Sequence, residues 1–118
     1  MAKVHSGFLL ICLLLLCGCS LKYLGPHAEQ GGVRFTMSAP GAKKVAIAGS
    51  FNQWDAGRDF LSGPDDEGNW TVFLPLKEGR YEYLYQVDGR KWVADPEAPS
   101  EADGFGGKNS VVLVGRLD

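Results

Sequence analysis

From residue 31 onward the apolar positions recur with a period of two. Val33, Phe35 and Met37 alternate with Arg34, Thr36 and Ser38, which predicts a first strand with one face in the core. The turn Ala39-Pro40-Gly41-Ala42 follows, then a β-branched run over residues 44–48 with Val45 and Ile47 facing inward. Phe60-Leu61 reads as either a short strand or an apolar filler, and residues 64–69 are a turn by composition. Trp70, Val72 and Leu74 predict the next strand, and residues 76–79 turn the chain. Tyr81, Tyr83, Tyr85 and Val87 alternate with Glu82, Leu84 and Gln86, the clearest strand in the sequence. Asp88-Gly89 is a hairpin signal, so residues 90–94 return as a partner strand. A long polar loop over residues 95–108 leads to a last strand at 110–114. No stretch carries a helical period. About seven short strands separated by turns predict an all-β fold, a two-sheet immunoglobulin-like sandwich.

Within this pattern Trp54 is out of place. It lies in Gly49-Ser50-Phe51-Asn52-Gln53-Trp54-Asp55, a polar loop just past the second strand. Ser, Asn and Asp stop strands because their side chains compete for backbone hydrogen bonds. A large apolar ring there either folds back as a plug on the sheet or stands out as a flat platform for a ligand. Trp70, in phase with Val72 and Leu74, belongs to the core, and so does the Tyr81-Tyr83-Tyr85 row.

The chain has 118 residues, room for one small domain, with 45% apolar and 22% charged residues and a net charge of −2. No basic patch stands out, which argues against a nucleic-acid partner. Cys12, Cys17 and Cys19 all precede residue 20, so no disulfide staples the fold. The start reads as an address. Lys3 precedes the apolar run of residues 8–16, whose nine residues rise only about 14 Å as a helix and fall short of a bilayer core. That is a secretory signal pattern. Leu16-Cys17-Gly18-Cys19 resembles a bacterial lipobox. The resemblance implies a signal peptide over 1–18, cleavage before Cys19, and lipid on the Cys19 thiol and the new amino terminus. The simpler reading is a plain secretory peptide cut near Gly18 or Ser20. Ser20, where an Asp would act as an inner-membrane retention signal, points to the outer membrane in an organism that has one. Cleavage removes Lys3 and leaves 11 basic against 14 acidic residues, so membrane contact is expected from the lipid rather than from charge. Residues 19–30 then read as a tether with a reach of about 15–20 Å, and residues 31–118 as the domain.

Taken in order, Gly49-Ser50-Phe51-Asn52-Gln53-Trp54, Glu78-Gly79-Arg80-Tyr81-Glu82-Tyr83, Val87-Asp88-Gly89-Arg90-Lys91-Trp92, Asp95-Pro96 and Asn109 resemble the family-48 carbohydrate-binding modules. These are the early-set domains at the front of glycogen branching and debranching enzymes, akin to the glycogen-binding domain of the AMP-activated protein kinase beta subunit. The resemblance implies that Trp54 and Trp92 are sugar platforms, that Asn109 hydrogen-bonds sugar hydroxyls, and that Phe105 reaches around the glucan. A family Lys that donates to sugar falls on Leu84, which cannot donate; Lys91 or Gln86 are the candidates to replace it. For Trp92 a core position beside Val93 is the alternative, and for Asn109 a structural turn.

Catalysis is not expected. His27 is the only histidine after the signal, in the tether, so no Ser-His or Cys-His pair forms in the domain. Asp65-Asp66-Glu67 sit adjacent in a turn, a solvated loop rather than two carboxylates across a cleft, and they lack the spacing of a calcium loop. The catalytic barrel that follows this module in branching enzymes has no counterpart in the chain. No cofactor or metal is implied. The leading expectation is a lipid-anchored, non-catalytic module for α-glucan-like sugar, such as maltodextrin or another glycan outside the cytoplasm. The alternative is an envelope module that docks a protein partner on a sheet edge or on the Trp face, as a continuous apolar patch of Trp54, Leu84 and Trp92.

Overall fold

The computed structural model describes residues 23–115. The expected signal segment, residues 1–18, and Cys19 lie outside the described residues. The order is β1 (His27–Glu29), β2 (Gly32–Ser38), β3 (Val45–Gly49), β4 (Asp59–Phe60), β5 (Asn69–Leu74), β6 (Gly79–Val87), β7 (Lys91–Val93), β8 (Ser100–Ala102) and β9 (Lys108–Val114). All pairs are antiparallel. A three-stranded sheet runs β1-β2-β5, and a six-stranded sheet runs β4-β3-β6-β9-β8 with β7 also on β6. The fold is an all-β, immunoglobulin-like sandwich.

The core is the meeting of the two period-two faces. Val33, Phe35, Met37, Trp70 and Leu74 come from the small sheet, and Val45, Ile47, Tyr83, Tyr85 and Val112 from the large one. Phe35 meets Tyr83 edge-to-face at 5.0 Å, and Tyr83 meets Tyr85 the same way at 5.7 Å, a geometry that the ring quadrupoles favour. Trp70 is core as expected, with Nε1 donating to the Ala39 carbonyl at 2.9 Å. Nine-residue β6 is the spine of the large sheet. One edge carries β3, and the other carries β9 along its first half and β7 along its last three residues.

The structure departs from the sequence reading in several places. β1 lies inside residues 19–30, so the end of the expected tether is hydrogen-bonded to β2, and Arg34 Nε donates to Glu29 Oε2 at 2.6 Å. β8 lies inside the expected 95–108 loop and pairs with β9. β9 begins at Lys108, so Asn109 is a strand residue rather than a turn residue preceding the strand. Phe60 and Leu61 divide between both alternatives: Phe60 ends a two-residue strand and Leu61 fills the core. β3 was expected to bury one face, yet Ala46 and Ala48 are 3% and 0% exposed as well. On the face of the large sheet away from the core, these two alanines are therefore covered by their larger neighbours.

The β6–β7 hairpin forms as its sequence dictates. Asp88 and Gly89 take φ of 53° and 71°, and Arg90 N donates to the Val87 carbonyl at 3.2 Å. Two consecutive left-handed residues make the type I′ turn whose twist matches the strands. Asp88 Oδ1 also accepts from Lys43 N at 2.7 Å and Lys44 N at 3.1 Å, which holds its carboxyl below the ordinary value of 3.8. A carboxyl depressed by folding stabilises above its unfolded value and loses that contribution as pH falls through the folded one. Asp88→Asn keeps an acceptor but removes the charge. Its urea midpoint is expected to trail the parent at pH 7 and to converge with it below about pH 4. A gap that stays constant down to pH 3 would show that the charge contributes nothing.

Candidate functional site

Strand alternation and register decide which side chains share the outer face of the large sheet. Val45 and Ile47 point into the core, so Ala46 and Ala48 point away from it. Directly paired residues share a face, which puts Phe60, Leu84 and Gln86 with these alanines, and Trp92 with Gln86. Ser110 is fully buried opposite Tyr83, so Asn109 also faces outward, one step beyond that pair and beside Leu84.

Trp54 reaches this face from a tightly built turn. β3 must end in glycine at this point, because a Cβ on Gly49 would come within 2.4 Å of the Glu82 carbonyl oxygen. The Gly49 carbonyl then accepts from Asn52 N at 3.1 Å and Trp54 N at 2.9 Å. Asn52 is 2% exposed and fully employed. Its Oδ1 accepts from Gly49 N at 3.0 Å, and its Nδ2 donates to the Ile47 carbonyl at 3.1 Å and to Asp59 Oδ2 at 2.9 Å. Gln53 and Trp54 follow with φ of 57° and 58°. Two successive left-handed residues without glycine cost of order 1–3 kcal/mol each and persist only when their surroundings impose them. Here Asn52 imposes them, and Arg58 Nη1 donating to Gln53 Oε1 at 2.6 Å closes the outer side.

Trp54 is 39% exposed and Trp92 47%, so neither is a core plug. They line one open depression of about 580 Å³ with Leu84, Asp103, Phe105 and Asn109. All five residues singled out from the sequence therefore converge on one place, from the β3–β4 loop, β6, β7, the β8–β9 loop and β9. Phe105 is 93% exposed at the tip of its loop. The loop is shaped by Asp103, whose Oδ1 accepts from Phe105 N at 2.7 Å and Gly107 N at 3.0 Å. Asp103 was missed in the sequence, although Asp103-Gly104 is an ordinary turn signal. Asn109 is held by a polar chain: Arg80 pairs with Glu101 and Glu82, and Glu82 Oε1 accepts from Asn109 Nδ2 at 3.3 Å. That leaves Asn109 Oδ1 to face the depression as an acceptor. Of the two candidates to replace the polar group missing at Leu84, the register puts Gln86 on this face and Lys91, opposite Val87, on the other. Among the described residues no group of three His, Cys, Asp or Glu side chains is arranged to hold a metal.

A two-sheet all-β sandwich that displays two tryptophans over a shallow, largely apolar depression is a small-molecule or polymer-binding module in form. Residues 23–98 match the family model of carbohydrate-binding module 48 (isoamylase N-terminal domain), and the chain belongs to that family. The match includes Trp54, Leu84 and Trp92 and ends before Asp103, Phe105 and Asn109. Similar proteins include the 1,4-alpha-glucan branching enzymes GlgB of Halothermothrix orenii, 39% identical over 87 residues, and of Mesorhizobium japonicum, 35% identical over 85. The aligned parts cover 67% and 72% of this chain but only 14% and 11% of those enzymes. The corresponding enzyme of Bacillus cereus is 40% identical over 73 residues, 58% of this chain and 11% of its own.

Proposed function

We propose that this chain is a non-catalytic module that binds α-1,4-glucan-like sugar on the outer face of its large sheet, and that a lipid on Cys19 holds it at the cell envelope. One observation carries the sugar reading. Two half-exposed indoles on separate, well-fixed elements border one depression with an amide, Asn109, already oriented by Glu82. The C–H faces of glucose stack on indole rings and leave the hydroxyls at the edges for amides. The named substrate of the similar branching enzymes, a 1,4-alpha-glucan, supports the same sugar class. Asn109 and Asp103 break up the apolar patch, which favours sugar over a protein partner docked on Trp54, Leu84 and Trp92. A shallow face of this kind gives affinities of about micromolar to millimolar. Lipobox residues Leu16-Cys17-Gly18-Cys19 support the anchor, and Ser20 supports the outer membrane.

The test is intrinsic fluorescence of the full chain, held in a detergent without a sugar headgroup, titrated with maltoheptaose and β-cyclodextrin. A saturable change is expected, weakened at least about tenfold by Trp54→Ala. No change up to tens of millimolar retires the α-glucan reading. Incorporation of labelled palmitate into the chain tests the anchor, and its absence retires it.

A further inference from the structure

Phe60 is a further exposed aromatic on the same face, and nothing in the core or the site described so far uses it. It is 49% exposed and paired with Ala46, which is paired on its other side with Gln86, which in turn is paired with Trp92. The row Phe60–Ala46–Gln86–Trp92 therefore crosses four neighbouring strands on one face, roughly 14 Å at ordinary strand spacing. Its middle is low and dry, since Ala46 is 3% exposed and Ala48 beside it is 0%. Gln86 is half-buried between the two aromatics, and its side-chain amide makes no hydrogen bond among the described residues. Such an amide carries both donors and an acceptor, the pairing that a sugar hydroxyl requires. Phe60 is also not a loose edge residue. Asn52, which fixes the Trp54 turn, bonds Asp59 at 2.9 Å, and Leu61 N bonds the Val45 carbonyl at 2.8 Å. One buried side chain thus ties the Trp54 turn to the residue before Phe60.

We propose that Gln86 and Phe60 form a second sugar subsite beside the Trp54–Trp92 pair, which takes the continuation of the same neutral α-glucan chain toward β4. This rests on the sugar reading above and extends it. Gln86 lies one row along from Leu84, and its free amide gives this second subsite a polar contact of the kind Leu84 does not give the platform. The consequence is a preference for long chains over short ones.

The experiment is calorimetric titration of the full chain with maltotriose and with maltoheptaose, for the parent, Phe60→Ala, Gln86→Leu and Trp54→Ala. The parent is expected to bind the longer sugar about fivefold or more tightly. Phe60→Ala and Gln86→Leu are each expected to weaken maltoheptaose about threefold or more while leaving maltotriose within about twofold. Because Gln86→Leu leaves β4 untouched, a local loss of that short strand in Phe60→Ala does not obscure the result. Equal loss for both sugars, or no loss for either, overturns the subsite and leaves the tryptophan platform standing. A parent that binds neither sugar, or Trp54→Ala with undiminished binding, overturns the platform and the subsite with it.

Discussion

Asn52→Ala is expected to lower stability by about 2–4 kcal/mol and to weaken sugar binding with both platform tryptophans still present. The substitution removes three hydrogen bonds from a side chain that is 2% exposed, and it strands Gly49 N and the Ile47 carbonyl in a buried place. Buried polar groups left without partners cost about 1–3 kcal/mol each. The second effect is conformational. The left-handed pair Gln53-Trp54 is held against its own preference, so release lets the turn relax and moves the Trp54 ring. Urea unfolding and calorimetric titration with maltoheptaose, read on the same preparation, separate the two. A stability loss with unchanged affinity would show that Trp54 keeps its pose without Asn52.

Asp95→Ala is expected to cost about 3 kcal/mol, a fall of roughly 10–20 °C in Tm. Asp95 is 4% exposed and ties β6 and β9 to the β7–β8 loop. Its Oδ2 accepts from the Tyr83 hydroxyl at 2.7 Å, its Oδ1 accepts from Glu97 N at 2.9 Å, and its backbone N–H donates to Ser110 Oγ at 2.7 Å. Burial and the bond to Asp95 push the Tyr83 phenol far above its ordinary range, so it remains a donor at every working pH. Without Asp95 that hydroxyl is orphaned at 0% exposure in the middle of the core. Tyr83→Phe removes the other partner, and the double variant should lose much less than the sum of the two. Full additivity in thermal unfolding would deny that the pair acts as a unit.

The strands that were legible in the sequence share a reason. β2, β5 and β6 each place one face in the core, so burial writes a period of two into the residues themselves. β1 and β8, His-Ala-Glu and Ser-Glu-Ala, bury almost nothing and exist through backbone pairing alone, which leaves no trace in side-chain type. β3 looked one-sided because alanine is neutral evidence, and Ala46 and Ala48 are buried by what lies over them. Trp54 could be recognised as misplaced by local chemistry alone. Its meeting with Trp92, Phe105, Leu84 and Asn109 became readable only through family order, because those residues lie up to 55 positions apart and register brings them together. Asp95 was hidden for the opposite reason: a carboxylate between Ala94 and Pro96 in a polar stretch normally faces water. Asn52, similarly, read as a strand stop, with no hint that its amide is buried.

The large sheet ends in β4 with two residues on one side and β8 with three on the other, and the small sheet ends in β1 with three and β5 with six. On its β4 side the large sheet therefore offers few free backbone groups in line, so a neighbouring copy finds little to zip onto there. Copies that meet along that side should therefore stay separate beads, each able to let go on its own, rather than fuse into fibres.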